Sequence, residues 1–175
     1  MSEEIAPRRE IVSTPISYLP YQVRQPRNAV HALGVAWLLT FPISIVMAMV
    51  LAVLVPNASQ PQFPFTGVDL FVRLVVVAPV FETLIMGGAL LILQLVLRPT
   101  AAVLATALLA GLAHSFAPNG VAVWGLVIWW PFLIFSTLFV VWRERSLLAA
   151  FAMPALAHGL HNLPTAALIA SGINV

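Results

Sequence analysis

Glu82, His114, His158 and Asn162 stand inside long apolar stretches of the 175-residue chain. A carboxylate and two imidazoles can take up and release protons, and an asparagine amide can only donate and accept hydrogen bonds. An ionisable group in hydrocarbon costs about 3 kcal/mol or more on insertion scales, so such residues mark a pathway or an active site. Each also has a plainer reading. Glu82 could be a carboxyl hydrogen-bonded to a neighbouring helix, His158 with Asn162 could join two helices, and His114 could lie at the membrane surface. His161 is read as a packing or supporting group.

The elements that carry these residues follow from composition. Hydrophobic residues make up 61% of the chain and charged residues 8%, and mean hydropathy is +1.01. A soluble fold of this size cannot hide so much apolar surface, and the apolar stretches recur at lengths suited to a bilayer. Cysteine is absent, which excludes disulfide and thiolate chemistry. Residues 1–27 hold four Pro and four Arg and are expected to form a flexible arm. Residues 28–175 are expected to form a single transmembrane bundle. Its predicted helices cover 28–55, 69–97, 100–116, 121–142 and 146–171, with a loop at 56–67 and a turn at Ala117-Pro118-Asn119-Gly120. The fold class is all-α: a polytopic bundle of about five transmembrane helices. Seven of the eight Arg fall on one side of that path and only Arg73 near the other, which predicts a cytoplasmic amino terminus. The expected setting is the inner (plasma) membrane of a bacterium.

Depth brings the polar residues together. Glu82 and His114 each lie sixteen residues from Arg98, about 24 Å along a helix. His158 and Asn162 lie thirteen and seventeen residues from Arg145, about 20 and 26 Å, which brackets the same level. Stepping by four gives Ala102, Thr106, Ala110, His114 on the third helix and Ala150, Pro154, His158, Asn162, Ala166, Ala170 on the fifth. Small residues of this kind let helices approach closely, so both faces are expected to point inward. Pro79 and Pro154 stand shortly before Glu82 and His158, where each can bend its helix. Trp124 and Trp142 read as interfacial belt residues, and Trp129-Trp130 with Pro131 as packing or a lipid-facing kink.

Three segments carry a resemblance: Ala78-Pro79-Val80-Phe81-Glu82-Thr83 running on to Gly87-Gly88, Ala110-Gly111-Leu112-Ala113-His114, and His158-Gly159-Leu160-His161-Asn162. In order and spacing they resemble the core motifs of the CAAX prenyl protease and bacteriocin-processing (CPBP, or Abi) intramembrane endopeptidases, over about 73–165. The resemblance implies a peptidase in which Glu82 and His114 activate water while His158 and Asn162 hold the oxyanion. Two His and one Glu are also a catalytic zinc set, and zinc is the alternative to the metal-free scheme. The chain departs from the motifs at Thr83, Gly87 and Ala110, where the family carries Glu, Arg and Phe. Loss of the Glu–Arg pair together leaves no orphaned buried charge, so the fold is expected to survive it.

Three functions are thus expected in order. The first is an endopeptidase acting on a membrane-embedded or lipid-anchored peptide. The second is an inactive family member serving as a binding, immunity or assembly factor. The third is proton or ion transfer, which requires a continuous polar path. Membrane lipids are expected partners, and nucleic acid is not.

Overall fold

The computed structural model describes residues 16–56, 63–116 and 122–172. Among them are α1 (Tyr21–Arg24), α2 (Ala29–Leu54), α3 (Gly67–Val72), a π-helical segment (Arg73–Val77), α4 (Ala78–Leu93), α5 (Pro99–Phe116), α6 (Gly125–Trp142) and α7 (Leu147–Ala170), with short 3₁₀ turns before α1 and α6 and no strand. The chain is an all-α membrane protein. Four of its helical stretches, Ala29–Leu54, Gly67–Leu93, Pro99–Phe116 and Ala122–Trp142, are long and apolar enough to cross a bilayer. α7 is as long as these, at 24 residues. Its two prolines and the polar trio His158, His161 and Asn162 make it less apolar, and Ala150, Ala157, His158 and Gly159 are buried.

α6 is hydrophobic on every side, which suits a helix surrounded by others. Its stretch from Pro131 to Trp142 is buried except for Leu133, and α2, α5 and α7 pack around it. Caps fix where two helices start: Asn28 accepts the His31 N–H and Ser146 the Ala149 N–H, each at 3.0 Å. The small faces predicted from the sequence do point inward. Ala102, Thr106, Ala150, Pro154 and Ala166 are all buried.

Two expectations are corrected here. The second long helix ends at Leu93, four residues early, because the amides of Leu95 and Val96 turn back to Ile92 and Leu93 in tight three-residue bonds. Pro99 also holds Arg98 away from helical geometry. Trp142 does not face lipid as a belt residue would. It is only 4% exposed, with the Arg145 guanidinium 5.2 Å from its ring centre, and α1 packs against the same helix. The carboxyl end of the expected arm is also anchored, since Val23 is fully buried and Arg145 donates to the Arg27 carbonyl at 3.1 Å. Residues 1–15 and the predicted turn at 117–120 lie outside the described residues.

The π segment was not foreseen. Its register is marked by the Ala78 N–H, which bonds to the Arg73 carbonyl five residues back. Pro79 follows at once and has no N–H to give. The Leu74 carbonyl is therefore denied both ordinary donors, since Ala78 is committed and Pro79 is empty. Asn162 of α7 supplies the missing bond from its side-chain amide at 2.9 Å. Gly159 makes this approach possible: a Cβ there would sit 2.6 Å from the Val75 carbonyl oxygen.

Candidate functional site

Three helices deliver Glu82, His114 and His158 to one place. Glu82 Oε2 lies 3.6 Å from His114 Nε2 and 3.9 Å from His158 Nε2. Both separations exceed a good direct hydrogen bond yet fall within reach of one bridging oxygen.

The tautomer of His114 follows from its other nitrogen. Nδ1 lies 2.8 Å from the Ala110 carbonyl, which can only accept, so Nδ1 carries a proton. Nε2 therefore faces Glu82 with a lone pair when the ring is neutral. An ionised carboxylate and that lone pair repel unless a proton is placed between them. A water between the two atoms satisfies both by donating one hydrogen to each, which leaves its oxygen more nucleophilic.

Aromatic rings fix both imidazoles. Phe135 stacks on His158 at 4.8 Å between centroids and 23° between planes. Phe132 meets His158 at 5.4 Å and His114 at 5.6 Å. These two phenylalanines are the site residues that sequence reading missed. The available signal was their i, i+3 spacing, which puts both on one face of α6. His158 is 6% exposed, and its Nδ1 is buried without a hydrogen-bond partner among the described residues.

Asn162 shares the helix face of His158 one turn on, and its amide bonds to Leu74 rather than to Glu82. His161 packs edge-on to Phe41 and Phe135, in keeping with a packing role. Among the described residues, no group of three or more His, Asp or Glu side chains is spaced as a metal-ligand set.

The altered motif positions have a structural counterpart. Thr83 is buried at 2% exposure, and a Cβ at Gly87 would collide with the rings of Phe139 and Phe151. Those rings meet edge to face at 4.9 Å, filling the space where the resembled motif has an arginine. Gly87→Arg should therefore destabilise the bundle by about 3–5 kcal/mol, through an unpaired buried charge added to the clash. Thermal unfolding in detergent measures this, and a variant as stable as the parent would refute it.

A cavity of about 280 Å³ adjoins the cluster. Glu82 lines it together with Arg73, between apolar walls that include Phe63, Phe65, Leu74 and Phe81. The Arg73 guanidinium is held by Asp69 at 2.9 Å and lies 4.0 Å from the centre of the Phe65 ring. Compared with protein families, curated proteins and solved structures, the chain gives no match.

Proposed function

We propose that this protein is an intramembrane endopeptidase of the CPBP kind that hydrolyses a membrane-embedded or lipid-anchored peptide. The observation that carries this reading is the meeting of Glu82, His114 and His158 beside an apolar cavity within a membrane bundle. Glu82 and His114 would take the proton of an attacking water placed between them. His158 Nε2, 3.9 Å from the same carboxylate oxygen, is available to donate to the oxyanion that forms on the substrate carbonyl. The cavity suits an apolar peptide segment, since its walls are aromatic and aliphatic.

The setting that goes with this reading is the inner membrane of a bacterium, with the amino terminus cytoplasmic as the arginine asymmetry predicts. Position 57, which is outside the described residues, would then lie on the outer side of the membrane. In a chain with no native cysteine, Asn57→Cys should react with an impermeant maleimide added to intact cells. Labelling only after permeabilisation would reverse the orientation.

The activity test uses purified protein in liposomes with a pool of single-span membrane peptides, and product ends are identified by mass spectrometry. The parent should cut, and His114→Ala should not at equal protein level. Equal cutting by both proteins would remove the proposal. The inactive-scaffold reading predicts peptide capture without product from either one.

A further inference from the structure

We infer that Asn162 is a positioning residue: its amide locks the π-helical register of Arg73–Val77 and thereby sets the face on which Glu82 stands. The inference rests on Glu82 being the centre of the proposed site. It gives Asn162 work distinct from holding an oxyanion.

The geometry of the helix requires such a lock. Leu70 and Glu82 are twelve positions apart. At about 100° per residue, an uninterrupted α-helix would turn them about 120° away from each other. One extra residue accommodated in a π turn removes about 100° of that and leaves them within about 20°. Both residues line the same cavity, and Phe81 borders it beside Glu82. Without the π turn, Glu82 would swing by about one residue's rotation, and the exposed Phe81 would take its place toward His114.

A π turn gives up regular hydrogen bonding, and this one is followed by a proline that cannot repair it. The Leu74 carbonyl is one group left over in this way, and Asn162 Nδ2 is its donor at 2.9 Å. Gly159, three residues earlier on α7, lets the two backbones come close enough for that bond. His158 precedes Gly159 directly. One short stretch of α7 therefore supplies an imidazole to the cluster and fixes the rotation of the helix that supplies the carboxylate.

The absence of native cysteine allows a direct readout of register that does not depend on catalysis. Cysteine pairs are placed at 81/114, 82/114 and 83/114 in the full-length chain in membranes and treated with a short bis-thiol crosslinker. With Asn162 present, the 82/114 pair should crosslink best. Asn162→Ala should lower that yield several-fold and raise one of the neighbouring pairs, and Asn162→Gln, which keeps an amide donor, should restore part of it. An unchanged pattern in Asn162→Ala would overturn the inference, whatever the outcome of the peptidase assay. If Asn162→Ala does not accumulate, Pro79→Ala is added, because a backbone N–H at position 79 can serve Leu74 from within the helix. Recovery of the double variant supports the inference, and failure to recover overturns it.

Discussion

Glu82→Gln should abolish peptide hydrolysis while leaving the protein as stable as the parent or more so. The activity side follows from the proton geometry: glutamine cannot take a proton from the water between position 82 and His114. Loss of a positioned general base costs typically about 10²–10⁴-fold in rate. The stability side follows from the same contact. His114 Nδ1 is committed to the Ala110 carbonyl, so the neutral ring presents a lone pair at Nε2. The amide introduced by Glu82→Gln can donate to that lone pair where a carboxylate repels it. The substitution also removes an ionisable group from a membrane-spanning helix, where charge is costly. His114→Ala should lose comparable activity, and the double variant should be little worse than either single one, because the two groups act on one water. Product formation in liposomes and unfolding in detergent are the paired measurements. Unimpaired hydrolysis by Glu82→Gln would remove Glu82 from the mechanism. A large loss of stability with it would make the carboxylate a structural strut. If the chain is a binding scaffold instead, Glu82→Gln should still capture peptide, and neither protein should release a product.

Much of this arrangement was legible in the chain itself. Helix spans emerged from runs of apolar residues broken by charge and proline, and the shared level of Glu82, His114 and His158 from counting residues to the arginines at the helix ends. The inward faces emerged from small residues at steps of four, because close helix approach in a membrane leaves room for little else. Three features were not legible, each for its own physical reason. The π turn needs Ala78 to bond five residues back instead of four, a choice that tertiary contact with α7 decides and that local propensity does not encode. Pro79 was visible as a bend, yet which carbonyl it orphans depends on that register. Phe132 and Phe135 share a face by their i, i+3 spacing, but in a helix that is apolar all round nothing in the sequence says that this face meets the imidazoles. Trp142 reads as a lipid-facing anchor because an aromatic beside arginines matches one, and only the packing of α1 and Arg145 reveals that it is covered.

Gly125→Val should separate α5 from α6 and disable the site without touching any of its polar atoms. At Gly125 a Cβ would run into the Gly111 carbonyl and the Ser115 hydroxyl, and at Gly111 a Cβ would lie 2.8 Å from the Gly125 carbonyl oxygen. The two glycines thus face each other where the helices cross, backbone against backbone. Backbone cannot rotate aside as a side chain can, so the helices must move apart, and overpacking of this kind typically costs about 1–3 kcal/mol. His114 stands next to Ser115, on the turn of α5 that would be displaced. Its Nε2 already sits 3.6 Å from Glu82, so a shift of about 1 Å takes it out of reach of a shared water, and a misplacement of that size can cost on the order of 10² in rate. Gly125→Ala should show the same two effects in smaller measure, whereas Gly88→Ala, with open space around its Cβ position, should show neither. Unfolding in detergent and hydrolysis in liposomes, measured on all three variants, separate the outcomes. Full activity in Gly125→Val would mean that α5 can retreat without carrying His114 away, and the crossing would then not be what holds that imidazole at Glu82.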